Sequence, residues 1–315
     1  MSEWKLVIHG GAGAMRPVHG DEDHEERARQ GLRSALEAGS VVLSRGGSAI
    51  DAVEASVRVL EDDPCFNAGR GSTLNAEGLV ELDAAIMDGA TLKAGAVAVV
   101  RKVRNPISLA RLVMDRSPHV LLAGEGAESF ALEQGMPLVP PSYFFTEHKW
   151  RSLQLRLQQE TPYGQKPVIK RGSDRDPGLF GTVGAAALDR AGNLAAGTST
   201  GGREGKLPGR VGDSPIPGAG TYASNESLAV SSTGLGEYVL RLGSTKEASD
   251  HMTIGGKSVT EATEIVRAKL EKMGGSIGMV AIDRKGVVAM PFSGDGMYRA
   301  YVLSDGKPVV KIYRE

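Results

Sequence analysis

The feature that most limits how this chain can fold is a break in texture near its middle. Residues 161–179 hold three prolines, three glycines and six charged residues in nineteen positions. That stretch has neither the apolar period of a helix nor the alternation of a strand, and it predicts an exposed, flexible connector. A connector of that length inside a compact protein is uncommon and usually functional. Directly after it an apolar strand pattern resumes at Thr182-Val-Gly-Ala-Ala-Ala-Leu188. The chain is therefore two apolar portions joined by a tether. Its 315 residues suffice for one large domain or two ordinary ones.

Before the tether, Lys5-Leu-Val-Ile8 predicts a short buried strand that stops at His9-Gly-Gly-Ala-Gly13. Helices are predicted at 22–43 and 48–61, the second opened by a Ser48/Asp51 capping box and ended by Pro64. Its apolar face is Ala49, Val53, Val57 and Leu60. Strands at 81–87 and 94–100 follow, then a helix over 106–115 opened by Asn105-Pro106. Helices at 124–134 and 146–160 complete this portion, with Trp150, Leu153 and Leu157 on one side of the last. After the tether, residues 181–196 align without gaps on 275–290, and both read as strand, Asp-Arg-x-Gly turn, strand. A hydroxyl-rich strand at 227–234 and a helix at 259–273, capped by Ser258/Glu261, lie between them. The pattern predicts a layered protein of helices and largely antiparallel strands, not a regularly wound parallel sheet.

Composition excludes several classes of function. A formal charge of -1 and a pI near 6.6 predict no nucleic-acid or anionic-membrane partner. One cysteine, Cys65, permits no intrachain disulfide and no thiolate metal cluster. No apolar run approaches eighteen residues and no leader segment is evident, so the expected compartment is the cytoplasm. Gly10, Gly11 and Gly13 lack the spacing of a dinucleotide loop, and there is no phosphate-loop, nucleophile-elbow or zinc-helix motif. His9 reads as a hydrogen-bonded strand-end residue or a catalytic one. Carboxylate sites for a hard cation stay open.

What stands out instead is a concentration of Thr, Gly, Arg and Asp between 180 and 236. The segments are Phe180-Gly-Thr182-Val-Gly184, Thr198-Ser-Thr200-Gly-Gly202, Leu207-Pro-Gly-Arg210-Val-Gly-Asp213 and Ser231-Ser-Thr233-Gly-Leu-Gly-Glu237. A threonine hydroxyl is a poor nucleophile unless a base stands beside it, and at a chain N-terminus its own α-amine can be that base. Such an amine titrates near about 7.7–8.0 when free. Arg210 can grip a carboxylate through two parallel hydrogen bonds, and Asp213 can pair with an ammonium. Together they would read an α-amino-acid head. Taken singly, Thr182 also reads as an ordinary strand residue, and Arg210 and Asp213 as a surface ion pair. A non-catalytic amino-acid-binding protein that never cuts its chain would use the same grips.

These segments resemble the plant-type L-asparaginase / isoaspartyl peptidase family of N-terminal-nucleophile (Ntn) hydrolases. The resemblance also takes in His9-Gly-Gly-Ala-Gly13, Phe66-Asn-Ala-Gly69, Glu81-Leu-Asp-Ala-Ala-Ile-Met-Asp-Gly89, Ser117-Pro-His-Val120 and Gly124-Glu-Gly-Ala127, and so spans nearly the whole chain. It implies an α+β fold, a four-layer αββα sandwich, over 1–315 as a single domain. It further implies self-cleavage between Gly181 and Thr182 into an α piece, 1–181, and a β piece, 182–315, assembled as a dimer of αβ pairs. The implied substrates are small molecules, L-asparagine and β-aspartyl dipeptides, cleaved to release L-aspartate with no catalytic cofactor.

By residue matching, Thr182 is the nucleophile, Thr200 supports it, and Thr233 with the Gly234 N–H forms an oxyanion hole. Arg210 takes the substrate α-carboxylate, and Asp213 with the Gly236 carbonyl takes the α-amine. Asn67 approaches from the α piece. The resemblance also implies a structural sodium ion held by the main-chain carbonyls of Leu60, Glu61, Asp63, Phe66, Ala68 and Arg70. Two residues depart from the family pattern. Ser232 stands where some relatives carry cysteine, and Arg70 is larger and charged where an apolar residue is expected. The related glycosylasparaginases are secretory, which the expected compartment sets apart from this chain.

Overall fold

The computed structural model describes residues 3–13, 23–159 and 181–314. The tether expected at 161–179 lies outside the described residues. The elements run β1 (Lys5–Gly13), α1 (His24–Ser44), α2 (Ala49–Asp62), β2 (Leu82–Asp88), β3 (Ala94–Val100), α3 (Pro106–Arg116), β4 (Leu121–Ala123), α4 (Gly124–Glu133) and α5 (Glu147–Gln159). After residue 181 come β5 (Val183–Leu188), β6 (Leu194–Thr200), β7 (Thr221–Ala223), β8 (Leu228–Gly234), α6 (Gly236–Leu242), α7 (Ser244–Thr253), α8 (Val259–Lys272), β9 (Ile277–Asp283), β10 (Val288–Ala289), β11 (Gly296–Leu303) and β12 (Pro308–Tyr313). It is an α+β protein. Among the described residues no helix is long and apolar enough to cross a membrane.

The larger sheet has eight strands in the order β12-β11-β1-β5-β6-β2-β3-β4, and the smaller has four in the order β10-β9-β8-β7. All pairings between these strands are antiparallel except β3 with β4. The larger sheet interleaves strands from both sides of residue 181. In particular β5, which begins just after Thr182, pairs with β1, and β6 pairs with β2. The two portions therefore share one hydrogen-bonded layer.

Three apolar clusters fill the spaces between elements. Leu6 and Ile8 of β1 point to the first, with Leu32 and Leu36 of α1, Val53 and Val57 of α2 and Ile107 of α3. Val7, between them in sequence, points to the second, where the two sheets meet, with Ala186, Leu194, Val280 and Ile282. This is the period-two alternation of a strand, with both faces covered. The third cluster joins the smaller sheet to α6–α8 through Val230, Met279, Val259, Val266 and Leu270. Small residues in β5 and β6 let α2 and α3 come close: a Cβ added to Gly197 would lie 2.7 Å from Val53 Cγ1.

Several local expectations change in the structure. β1 continues through Gly13 with a bulge between His9 and Gly11, so the glycine motif is strand and not a loop leading into a helix. The Ser258/Glu261 box forms in full, whereas Ser48 accepts from the Asp51 N–H while its hydroxyl donates to the Asp51 carboxylate, half a box. Asn105 does not cap α3 with its side chain; the Glu61 carboxyl accepts the Ile107 N–H at 2.9 Å instead. The two similar segments do form the same turn. Asp189 Oδ1 accepts the N–H groups of Ala191 and Asn193, and Asp283 Oδ1 those of Lys285 and Val287. They lie in different sheets, β5/β6 in the larger and β9/β10 in the smaller.

Candidate active site

Thr182 sits at the edge between the two sheets, where β5 leaves Gly181. Its hydroxyl donates to Thr200 Oγ1 at 3.0 Å, and that oxygen also accepts the Gly202 N–H at 3.0 Å. Thr200 is the last residue of β6 and faces Val183's neighbourhood because β5 and β6 pair in register from Val183↔Ser199 onward. The two hydroxyls are thus placed by the ladder itself. Gly181 is pressed between strands: a Cβ there would lie 2.4 Å from Thr233 Oγ1 and 3.1 Å from Gly11 Cα. Gly11 has a φ of +114° and its own Cβ would meet the Gly181 nitrogen at 2.3 Å. Only glycine at both positions allows that backbone contact.

Thr233, on β8 of the smaller sheet, is buried, and its Oγ1 has no hydrogen-bond partner among the described residues. A buried hydroxyl without a partner is costly, and it lies beside the bond preceding Thr182. One small pocket brings together Asn67, Gly181, Thr182, Thr200, Arg210, Asp213 and Gly234, with Gly202, Arg203 and Ser214 beside them. Gly236 stands behind the grips: a Cβ there would be 2.7 Å from Arg210 Nη2 and 2.8 Å from Asp213 Oδ1. The structure thus gathers every matched site residue of 180–236 around one pocket. It does so from both sheets, which explains their scatter in sequence.

Comparison with known proteins decides the family. The model of the asparaginase family matches residues 2–312. The chain is similar to an isoaspartyl peptidase of Salmonella typhimurium at 48% identity over 317 residues, covering all of both chains. It is similar to an isoaspartyl peptidase of Escherichia coli at 48%, over all of this chain and 98% of that one. An isoaspartyl peptidase/L-asparaginase of Bos taurus is 44% identical, over 96% of this chain and 94% of its own. The chain belongs to the asparaginase family.

In this asparaginase-family chain the charged groups of the pocket have unequal surroundings. Arg210 donates through Nε and Nη2 to Glu237 Oε1 at 3.1 and 3.0 Å. Asp213 is almost fully buried, and burial pushes its carboxyl up to about 6, against the opposing influence of Arg210 and the Ser232 hydroxyl, which donates to Oδ2 at 3.2 Å. Ser232 therefore works as a hydroxyl donor here. Asn67 lines the pocket, but its amide is engaged: Nδ2 donates to the Gly202 carbonyl at 2.7 Å and Oδ1 accepts the Thr73 N–H at 2.9 Å. Its visible work is to pin the turn after Thr200.

Sequence reasoning missed the polar layer beneath Thr182. His9 is a fully buried strand residue whose Nε2 lies 2.8 Å from Ser231 Oγ, and burial drives its imidazole down to about 3, so it is neutral. From Ser231 the chain of hydroxyls runs to Thr198 at 2.7 Å and on to Thr221 at 2.6 Å. The buried Glu61 carboxyl accepts the Ser199 hydroxyl at 2.6 Å, one residue from Thr200, and burial raises it to about 8. The alternation of Thr198, Ser199 and Thr200 held the signal: three successive hydroxyls on one strand must serve both faces.

Around residues 60–70 the backbone folds tightly past the end of α2. A Cβ on Gly69, whose φ is +49°, would meet the Glu61 carbonyl at 2.3 Å, and one on Gly71 the Phe66 carbonyl at 2.1 Å. The Asp63 and Ala68 carbonyls accept N–H bonds from Phe66 and Gly71. Arg70 is exposed, with its guanidinium 5.9 Å from the Tyr143 ring centroid, so its size does not enter the turn.

Proposed function

We propose that this chain is a self-activating amide hydrolase that releases L-aspartate from β-aspartyl dipeptides and from L-asparagine, with Thr182 as nucleophile. The observation that carries the reading is the placement of Thr182 Oγ1 beside Thr200 and directly after Gly181, in one pocket with Arg210 and Asp213. Support for the substrate class comes from the relatives, which are named isoaspartyl peptidases or isoaspartyl peptidase/L-asparaginases.

In maturation Thr182 Oγ1 attacks the Gly181 carbonyl carbon, and the Gly181–Thr182 C–N bond gives way to an ester. Water then hydrolyses that ester, leaving a Gly181 carboxylate and a free Thr182 amine. The pieces would be 1–181 and 182–315. The new amine, titrating near about 7.7–8.0 when free, takes the Thr182 hydroxyl proton in turnover. Thr182 then attacks the side-chain carbonyl of the aspartyl head and expels ammonia or the amine of the leaving amino acid, which takes up a proton. Water hydrolyses the β-aspartyl ester to release aspartate. Thr233 Oγ1 and the Gly234 N–H would stabilise the oxyanion in both reactions. Arg210 would take the α-carboxylate, and Asp213 with the Gly236 carbonyl the α-ammonium.

The finer architecture follows the same reading. A four-layer αββα sandwich is supported by the three apolar clusters in series, and a dimer of αβ pairs comes from the family resemblance. A structural sodium ion would be held by the carbonyls of Leu60, Glu61, Asp63, Phe66, Ala68 and Arg70. A main-chain oxygen cradle of this kind suits a hard monovalent cation, and the Glu61 and Phe66 carbonyls turned toward Gly69 and Gly71 fit that role. A cytoplasmic enzyme accords with the single cysteine, Cys65. The test is intact mass under denaturing conditions with N-terminal sequencing, followed by assay of aspartate release. Two pieces, one beginning Thr-Val-Gly-Ala, and aspartate from both substrates are expected; one uncut, inactive chain after long incubation refutes the reading.

A further inference from the structure

We infer that Arg203 binds the free α-carboxylate of the leaving residue when the substrate is a β-aspartyl dipeptide. The inference rests on the proposed reaction at Thr182. An aspartyl head carries one carboxylate and one ammonium, and Arg210 and Asp213 supply one counter-charge for each. Arg203 nevertheless also lines the pocket, and its guanidinium reaches Glu237, the carboxylate that pairs with Arg210. L-asparagine has no further charge to offer it. A β-aspartyl dipeptide does: the α-carboxylate of the leaving residue.

Geometry favours that match. In a dipeptide the second carboxylate carbon lies two bonds from the scissile nitrogen, roughly 2.5 Å away. A cation lining the same small pocket as Thr182 is within a side chain's reach of it. Arg203 also sits on a held backbone. The Gly201 N–H donates to the Asn67 carbonyl at 3.1 Å, the Lys206 N–H to the Arg203 carbonyl at 3.2 Å, and the Gly205 N–H to the Leu74 carbonyl at 2.8 Å. Next along the chain, Glu204 is buried and accepts the Ser152 hydroxyl of α5 at 2.9 Å.

Arg203 keeps capacity for a ligand. Its side chain is 28% exposed, and its ion pair with Glu237 Oε2 is long, at 3.5 Å. Glu237 places its closer bonds, at 3.0 and 3.1 Å, on Arg210. One carboxylate thus bridges both guanidiniums, which shows that a carboxylate at this mouth can address Arg203. A substrate carboxylate offering Arg203 two parallel bonds would outcompete that single long contact.

The test compares β-aspartyl-alanine with β-aspartyl-alaninamide on the matured enzyme, measuring kcat/KM by aspartate release. The wild type should favour the free carboxylate by about tenfold or more, worth about 1.4 kcal/mol per tenfold. In Arg203→Met that ratio should fall about tenfold, with the loss in KM, and Arg203→Lys should recover part of it. Glu237→Gln, which removes the competing carboxylate, should raise the ratio, and it serves if Arg203→Met fails to mature. A ratio unchanged in Arg203→Met, or lowered in Glu237→Gln, overturns the inference. Wild-type enzyme that releases aspartate from neither compound overturns the proposed function instead.

Discussion

Asp213 gives the sharpest quantitative test of the proposed site, because one carboxyl must be ionised for one step only. Burial pushes it up to about 6. To hold the substrate's ammonium it must be charged, so binding should weaken as pH falls through that value. With an apparent pKa of 6, roughly nine-tenths of the enzyme is competent at pH 7 and roughly one-tenth at pH 5. A fall of about tenfold in kcat/KM between those pH values is expected from Asp213 alone. The Thr182 amine adds a second limb nearer about 7.7–8.0, where it must lose its proton to act as a base.

The two limbs separate by where they appear. The profile of kcat/KM reports the free enzyme and should show both, whereas kcat reports the loaded enzyme. A bound ammonium keeps Asp213 ionised, so the limb near 6 should recede from kcat while the amine limb stays. Ser232→Ala removes the hydroxyl that donates to Asp213 Oδ2 at 3.2 Å. A hydrogen bond to a charged group is worth about 1.5–3 kcal/mol, reduced here by the long distance, so the acidic limb should move up by about half to one pH unit. Initial rates of aspartate release from pH 4.5 to 9 make the measurement. An acidic limb of equal size in kcat, or a Ser232→Ala limb displaced downward, would refute the assignment of Asp213 to the ammonium.

Three further outcomes are expected. Thr182→Ala should remain a single uncut chain by mass and hydrolyse neither substrate. Arg210→Ala should raise KM by about 100-fold, since two charge-assisted hydrogen bonds are lost, while its thermal midpoint moves by only a few degrees because the side chain lies at the pocket mouth. Thr233→Val should fold and melt like the wild type, because its hydroxyl has no partner to lose among the described residues, yet kcat should fall by about 10²–10³ as for other oxyanion donors. Steady-state kinetics beside a melting curve checks each of the last two.

The site was more legible than its support, and the reason is physical. Thr182, Arg210 and Asp213 each have an ordinary reading when taken singly, and what nominates them is the ordered set of short segments that resembles the family. Elements set by local signals were also legible: the Ser258/Glu261 cap opens α8 as its spacing predicts, and Pro106 opens α3. The unforeseen pieces depend on partners far away in sequence. Whether His9-Gly-Gly-Ala-Gly13 is loop or strand is settled by pairing with β11, nearly three hundred residues on. β11 is itself easy to overlook, because a strand covered on both faces loses its polar alternation.

Glu61 shows most plainly what one-dimensional reading cannot supply. On α2 it looks like a solvated helix-end acid, yet it is fully buried, caps α3 through Ile107 and holds Ser199 beside Thr200. Its carboxyl ties the last turn of a helix, the first turn of another and the strand bearing a proposed catalytic hydroxyl. No residue near it in sequence announces that role, since its partners Ile107 and Ser199 lie 46 and 138 positions away. A buried carboxyl is costly unless it is hydrogen-bonded or protonated, and here burial raises it to about 8 so that it is mostly neutral at pH 7. Thr200, the neighbour of Thr182, is thus fixed by a polar group whose cost is tolerated for the geometry it imposes on three elements at once.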